Sequence, residues 1–205
     1  SDLSQGLVRP PKLHQVGPVR FQNRKRGTNA FQGQNQGCIG IGMDYQCTLL
    51  GINDLKVMKA YPVRFAIRFH PRTEPKLKSE TLGILKRSGI ETVDFDDSNA
   101  EAFLAQIGSL ITGTSSLALD AAYQGVPTFV LRNKSDYYGF IQEGLVQNGE
   151  TLPENFEHYK KIIGQLKLEE RLKQYFEKVT ETKEFSSARI SRLIQQKLSN
   201  EMGTI

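Results

Sequence analysis

The stretch LITGTSSLALDAAYQGVPTFVLRN, residues 110–133, joins two short apolar runs through a helical pattern. The first run ends at Ile111 and meets five small or hydroxyl residues at 112–116. The helical pattern stops at Gly125, and the second apolar run, 126–131, follows at once. A strand, a helix and a strand in this order favour two parallel strands joined by a crossover helix. The stretch therefore predicts an α/β fold.

The same alternation of strands and helices continues upstream. Strand patterns at 38–43, 63–71 and 90–95 alternate with helical patterns at 45–62, 74–89 and 98–108. Gly89 is expected to end the second of these helices, and Ser98 or Asn99 is expected to cap the third. Because crossovers between parallel strands are right-handed, the carboxyl ends of the strands meet at one edge of the sheet. We predict a doubly wound, Rossmann-like parallel sheet with helices on both faces and a helical C-terminal segment.

The composition changes twice along the chain and predicts three parts. Residues 1–36 are rich in Gln, Asn, Gly, Pro and Arg, which predicts a polar arm or loop-rich segment. Residues 37–155 carry the Rossmann-like pattern. Residues 156–205 are amphipathic, and we expect their helices to pack on the same domain. Their expected inward residues are Ile162, Leu166, Leu168, Leu172, Phe176, Ile190, Leu193 and Ile194.

The composition of the 205-residue chain indicates a globular protein, with 38% hydrophobic and 24% charged residues. No apolar run approaches the roughly 18 residues that cross a bilayer, and the first residues lack the apolar core of a signal peptide. Cys38 and Cys47 are too few for a disulfide framework. We expect a cytoplasmic protein whose association with the inner face of a membrane, if any, is peripheral. A net charge of +5 favours anionic partners.

Three motifs of other cofactor classes are incomplete or absent. GIGMDYQ, residues 40–46, supplies the first two glycines of a dinucleotide fingerprint, but Tyr45 stands at the third position. The chain has no phosphate-binding loop of the G-x-x-x-x-G-K-[ST] type. Three histidines and no Cys/His cluster argue against a zinc site. We therefore expect no dinucleotide cofactor, no nucleotide-triphosphatase motif and no resident metal ion.

The hydroxyl cluster Thr114, Ser115 and Ser116 is the first candidate for a binding site. It falls at the turn between a predicted strand and a predicted helix. The first N–H groups of a helix lack intrahelical partners, and neighbouring hydroxyl donors can complete a phosphate site there. The alternative is that Thr114 or Ser115 only caps the helix. A cap uses one hydroxyl, so several hydroxyls in a row favour phosphate binding. We therefore predict that 37–155 is a nucleotide-binding domain.

The second candidate is RFHPR, residues 68–72. His70 falls at the carboxyl end of its predicted strand, and Pro71 prevents the strand from continuing. The imidazole of His70 can donate a hydrogen bond to a phosphate oxygen. Arg72 adds a planar fork suited to the same anion. A lone histidine is usually structural, but one at a strand end beside two arginines favours an anion site.

The acidic segment DFDDSN, residues 94–99, is the third candidate at this edge. A D-x-D pattern can chelate a divalent ion that bridges a diphosphate. A turn in which Asp97 and Ser98 precede the next helix explains the same residues, and we favour that interpretation. Backbone groups near Asp97 would then be placed to contact a nucleobase.

FAIRFHPR, followed about forty residues later by SLITGTSSLALDAAYQGVPTFVL, resembles the C-terminal nucleotide-binding domain of GT-B glycosyltransferases. The resemblance covers roughly residues 38–146. It is strongest to enzymes of bacterial surface polysaccharides, namely polysialyltransferases, capsule transferases and the glycerophosphotransferases of teichoic acid. The matching motifs are His70-Pro71, the pair Ser115-Ser116, and Gly125-Val126-Pro127 after the helix.

The resemblance implies a nucleotide-activated sugar donor of the CMP, CDP or UDP type. His70 would bind the donor phosphate and stabilise the departing nucleotide, as a catalytic residue, and the serine pair would bind the same phosphate. A carboxylate that holds the ribose is expected near 133–144, where Glu143 and Asp136 are both candidates. The resemblance also implies a glycan acceptor and an acceptor-binding domain that this chain does not contain, in a longer enzyme or a partner chain.

Three other functions stay open from the sequence. The chain can be a non-catalytic nucleotide-binding module that retains the pocket. It can be a nucleotide-sugar epimerase of the same fold, although that class typically needs more carboxylates than the acids of 94–97. The basic residues of 20–26 can bind nucleic acid, but they lack the interleaved aromatic residues of single-strand binding surfaces. We therefore do not expect a nucleic-acid partner.

Overall fold

The computed structural model describes residues 38–94, 99–132, 139–179 and 195. The chain divides into two compact units, of which one, residues 25–173, contains the six-stranded sheet. The predicted arm at 1–36 and most of the predicted C-terminal helices lie outside the described residues. The predicted packing of 156–205 on the sheet domain therefore stays a prediction.

Six strands form one sheet in the order β3-β2-β1-β4-β5-β6, and every neighbouring pair is parallel. This strand order confirms the predicted doubly wound, Rossmann-like sheet. The bounds of the strands are β1 Cys38–Gly42, β2 Arg64–Arg68, β3 Thr92–Asp94, β4 Ser109–Thr112, β5 Thr128–Leu131 and β6 Gln147–Gly149.

Helices connect the strands and cover both faces of the sheet. Their bounds are α1 Ile52–Ala60, α2 Pro75–Arg87, α3 Ala100–Leu104, α4 Leu117–Tyr123, α5 Phe156–Gly164 and α6 Leu168–Val179. Glycine ends α2 as predicted, because Gly89 adopts a left-handed φ of 74°. Asn99 caps α3, since its side chain accepts a hydrogen bond from the Ala102 N–H. No helix in the described ranges combines the length and apolarity needed to cross a membrane.

Two hydrophobic clusters lie on opposite faces of the sheet. One cluster contains Ile41 and Ile67 of the strands and packs them against residues of α1, α2 and α5, such as Met58 and Leu85. The other packs Ala66 and Leu110 against α3 and α4. Successive residues of one strand, such as Ala66 and Ile67, therefore belong to different clusters, as the twofold period of a strand requires when both faces are buried.

The order in which the strands are added to the sheet reverses at β1: β2 and β3 lie on one side of it, and β4, β5 and β6 lie on the other. Gly42, the last residue of β1, pairs with Arg68 of β2 on one side and with Thr112 of β4 on the other. The loop after β1 leads to α1 on one face, and the turn after β4 leads to α4 on the other face. The two connections therefore diverge at the carboxyl edge, and the general rule for open α/β sheets places the ligand crevice between them.

Three details differ from the predicted elements. Helix α4 begins at Leu117, two residues after the predicted Ser115, and β5 begins at Thr128 because Pro127 lacks a ladder N–H. The edge strand β6 was not predicted, since Gln147–Gly149 is short and polar. Helix α5 buries Tyr159 and Ile163, whereas the predicted inward residue Ile162 is half-buried. Leu168 and Leu172 of α6 are buried as predicted.

Candidate functional site at the carboxyl edge of the sheet

The loop after β1, residues 43–51, forms one wall of the crevice. The carboxylate of Asp44 shapes this loop, because it accepts hydrogen bonds from the N–H groups of Gln46 and Thr48 and from the Thr48 hydroxyl. Cys47 follows with a left-handed φ of 55°. Burial raises the pKa of the Cys47 thiol, which favours its protonated form.

His70 follows β2 and is held by a tight turn. The N–H of Thr73 donates to the His70 carbonyl at 2.9 Å, and the N–H of Arg72 donates to the His70 Nδ1 at 3.1 Å. Because Nδ1 accepts a hydrogen bond, the neutral ring carries its proton on Nε2. The half-buried imidazole is therefore oriented by its own turn and presents Nε2 as a hydrogen-bond donor.

Tyr45 links the loop after β1 to this turn. Its ring meets the His70 imidazole edge-on, with 6.3 Å between the ring centroids. The Arg72 guanidinium lies over the same tyrosine ring, 5.8 Å from its centroid. Tyr45 thus holds the positive charge of Arg72 beside His70 while 52% of the residue stays exposed.

The hydroxyl turn after β4 lies on the other side of the crevice. Ser116 occupies the cap position of α4 without a side-chain cap bond, and the Ser115 hydroxyl accepts a hydrogen bond from the Leu117 N–H at 3.2 Å. Ser115 therefore lies one residue before the cap and bonds within the turn that precedes α4, and a hydroxyl that accepts one bond can still donate another. Thr114 and Ser116 are exposed, and Ser115 is half-buried.

The helix dipole of α4 contributes little to anion binding at this turn. Helix α4 has only seven residues, and Asp120 is buried in its first turn. That carboxylate already lies where an anion would benefit from the helix N-terminus. The attraction for an anion must therefore come from hydroxyl donors and from the cations across the crevice.

The strand register aligns the ends of β2 and β4, because Arg68 and Thr112 both pair with Gly42 of β1. Two strand spacings of roughly 4.8 Å separate these strand ends, which therefore lie about 10 Å apart along the edge. His70 and Thr114 each follow their strand end by two residues.

The sequence did not predict the contacts of Arg132, the first residue after β5. Arg132 adopts a left-handed φ of 52°. Its guanidinium donates to the carbonyl of Leu49 and to the carboxylate of Asp54. Asp54 is 1% exposed and also accepts a hydrogen bond from the Gly51 N–H at 2.7 Å. No local signal could reveal this pair, because 78 residues separate its members.

Of the other predicted site residues, the structure describes Glu143. Glu143 is half-buried in the turn before β6, where its N–H donates to the Gly139 carbonyl. Asp97 and Asp136 lie outside the described residues. Within the described ranges, no three His, Cys, Asp or Glu side chains lie close enough together to hold a metal ion.

A cavity of about 550 Å³ lies at the opposite end of β2. It is lined by the end of α1, the start of β2 and the residues after α2, including Lys59, Arg64 and Glu91. Carbonyl groups at the carboxyl ends of two helices give this end a partial negative charge.

No protein-family model and no curated protein matches the chain. Two solved structures are similar to it. The wall teichoic acid polymerase TagF, solved as a variant, has 13% identity and a TM-score of 0.46, covering 83% of this chain and 46% of that chain. The pneumococcal O-GlcNAc transferase GtfA, in complex with UDP and GlcNAc, has 16% identity and a TM-score of 0.40, covering 85% and 37%.

The chain spans less than half the length of either solved structure. Both TM-scores lie below 0.5, so the assignment of a function to this chain depends on its own geometry.

Proposed function

We propose that this chain is the donor-binding domain of a GT-B glycosyltransferase that uses a nucleotide-activated sugar in the synthesis of a bacterial surface polysaccharide. One observation carries the proposal. His70 and the pair Ser115-Ser116 follow β2 and β4, the two strands that flank β1 at the carboxyl edge. Both sets of donor groups therefore follow strand ends on the same edge of the sheet, which is what the proposal needs for binding of a single phosphate.

His70 has the central role in this proposal. Its Nε2 proton donates to a phosphate oxygen of the donor, since Nδ1 is already bonded to the Arg72 N–H. Negative charge builds up on the nucleotide as the bond to the sugar breaks, and a donor placed in advance stabilises that charge. Hydrogen bonds to charged oxygens contribute about 1.5–3 kcal/mol each. Arg72 adds a positive charge beside the imidazole.

The serine hydroxyls hold the same phosphate from the side of β4. Ser116 has no cap bond of its own to lose, and Ser115 keeps its hydroxyl proton while it accepts from Leu117. Thr114 lies one residue earlier in the same turn. In this proposal Glu143 or Asp136 holds the ribose, and the segment around Asp97 contacts the base of a CMP, CDP or UDP donor. The glycan acceptor binds a separate domain or chain.

Thermal-shift titration with CMP, CDP, UDP and GDP tests the nucleotide site. We expect a cytidine or uridine nucleotide to raise the melting temperature of the wild-type chain. His70→Ala and the double variant Ser115→Ala/Ser116→Ala should each abolish the shift. His158→Ala is the matched control, because His158 is an exposed histidine of α5 that pairs with Glu154 far along the chain from these motifs.

The results separate the proposed functions. Stabilisation by none of the four nucleotides contradicts the proposal, and so does a shift that survives both variants. If a nucleotide binds, hydrolysis of the matching sugar donor is measured with the same three variants. Binding without donor hydrolysis favours a non-catalytic module or an enzyme that needs its acceptor domain.

A further inference from the structure

Arg132 and Asp54 connect two elements that diverge from the carboxyl edge. Arg132 directly follows β5, and Asp54 lies in the first turn of α1. The Arg132 fork bonds the Leu49 carbonyl with one terminal nitrogen and the Asp54 carboxylate with the other. The same carboxylate oxygen accepts the Gly51 N–H. The end of the loop after β1 is therefore held at three successive points, residues 49, 51 and 54.

The Arg132–Asp54 pair differs from an ordinary surface ion pair, because its carboxylate is buried. Asp54 is 1% exposed, and its second oxygen has no hydrogen-bond partner in the part of the chain that the structure describes. A buried carboxylate in this state depends on the nearby guanidinium for its charge compensation. Arg132 also keeps a left-handed backbone, which is costly for a residue other than glycine. The surroundings thus hold Arg132 in a strained conformation that directs its fork at the loop.

The loop held by this pair touches the hydroxyl turn directly. A Cβ atom at Gly113 would lie 3.5 Å from the Leu49 Cδ1, so the Leu49 side chain packs on the residue that precedes Thr114. Arg132 holds Leu49 by its carbonyl. A shift of the loop would therefore change the wall against which the turn of Ser115 and Ser116 is packed.

We infer that Arg132 and Asp54 act as a clasp that fixes the loop of residues 43–51 as one wall of the nucleotide crevice. This inference rests on the proposed function for its ligand, a nucleotide phosphate. Arg132 and Asp54 are positioning residues, because they act through Leu49 and Gly51. The loop stays in place between binding events, so the nucleotide does not have to order it, and affinity is higher for that reason.

The test uses Arg132→Lys, Arg132→Gln and Asp54→Asn in the full chain. Lysine keeps the charge but lacks the planar fork, whose two terminal nitrogens bond Leu49 and Asp54 separately. Asparagine keeps the shape of Asp54 without its charge. Lys160→Gln is the control, since it removes the cation of an exposed ion pair with Glu157 on α5. Urea unfolding identifies the variants that fold, and the folded ones enter the two measurements below.

The first measurement needs no nucleotide. Amide hydrogen exchange is followed in residues 44–51 and compared with residues 64–68 of β2 in the same sample. We expect exchange in the loop to become faster by about tenfold in Arg132→Lys relative to β2. Asp54→Asn should show a smaller change and Lys160→Gln no change. Unchanged loop exchange in every folded variant overturns the clasp, whether or not the chain binds nucleotides.

The second measurement is the dissociation constant of the nucleotide that stabilises the wild type best. We expect affinity to fall by about tenfold in Arg132→Lys and to stay at the wild-type value in Lys160→Gln. Faster loop exchange with unchanged affinity overturns the positioning role. If the wild type binds none of the nucleotides, the proposed function fails and the nucleotide part of this inference fails with it, while faster loop exchange still supports the clasp.

Discussion

Serines lie at the amino end of β4 and shortly past its carboxyl end, and their hydroxyls have different surroundings. Ser109 at the amino end is buried, and its hydroxyl accepts a hydrogen bond from the Tyr159 hydroxyl at 2.9 Å. Ser115 and Ser116, past the carboxyl end, are half-buried and exposed. A serine hydroxyl is thus buried in an internal hydrogen bond at one end of the sheet, whereas the serines at the other end stay accessible to a ligand.

The difference follows from what covers each end. Helix α5 lies over the amino ends of the strands, where Tyr159 packs against Tyr61 and Phe129 at centroid distances of 5.8 and 6.3 Å. The Tyr61 hydroxyl donates to the Pro153 carbonyl, so both buried tyrosines have partners. At the carboxyl end, α1 and α4 leave toward opposite faces. We therefore expect substitutions at the amino end to change stability, and substitutions at the carboxyl end to change binding.

The largest expected effect is that of Phe65→Ala at the amino end. Phe65 is 1% exposed and stacks on Tyr61. Its truncation leaves a cavity and should lower the free energy of unfolding by about 3–5 kcal/mol, as measured in urea. Nucleotide affinity of the folded protein, measured by calorimetry below the transition, should be unchanged. A loss of affinity in a folded Phe65→Ala sample would break the proposed separation of the two ends.

Gly40→Ala and Gly42→Ala compare two positions on the same face of β1. A Cβ at Gly40 would lie 2.3 Å from the Ile107 Cδ1 in the core, and one at Gly42 would lie 2.8 Å from the Leu117 Cδ2 at the start of α4. Overpacking of this kind costs about 1–3 kcal/mol. We expect both variants to be less stable in urea.

Only Gly42→Ala should also weaken nucleotide binding, because it displaces the residue that follows Ser116. Calorimetry on the two folded variants measures this difference. Equal losses of affinity in both variants would show that the effect comes from the lower stability of the whole domain and not from the position of the hydroxyl turn.

The smallest expected effect is that of Tyr159→Phe. It removes the hydroxyl bonded to Ser109 and should cost about 1 kcal/mol of unfolding free energy near neutral pH. Burial raises the pKa of Tyr159 above its ordinary value. The folded chain therefore holds this proton to higher pH than the unfolded chain does.

The sign of the pH dependence follows from that shift. The contribution of Tyr159 is complete below the unfolded pKa of about 10 and is lost as the pH rises toward the folded pKa. Urea unfolding at increasing alkaline pH should show a steeper loss of stability in the wild type than in Tyr159→Phe. Parallel losses in the two proteins would contradict a buried, protonated Tyr159. Tyr61, whose pKa burial also raises, is retained in both.

Much of the fold was predictable because buried parallel strands leave a local signal. Runs such as Ile39–Ile41 and Phe65–Ile67 are apolar on both faces. Gly89 marks the end of α2 because glycine adopts a left-handed backbone readily, and Asn99 marks the start of α3 because its side chain caps the helix. Strand β6 gave no such signal. It is polar, short and at an edge, and only its pairing with β5 defines it.

The candidate site was predictable in part for the same reason. Pro71 marks the end of the strand before His70, and the hydroxyl run marks the turn before α4. The orientation of the His70 ring depends on the Arg72 N–H, which the sequence does not locate. The contact of Tyr45 with His70 joins two loops that are separated in the chain.

The sequence by itself determined the alternation of strands and helices and the residue types at the strand ends, because both follow from local periodicity and from glycine and proline geometry. Only the tertiary structure decided that Arg132 reaches Asp54, that the loop after β1 packs on Gly113, and that serines at the two ends of β4 have opposite surroundings. These are contacts between residues distant in the chain, and burial and charge compensation between such residues exist only once the sheet has brought their strands together.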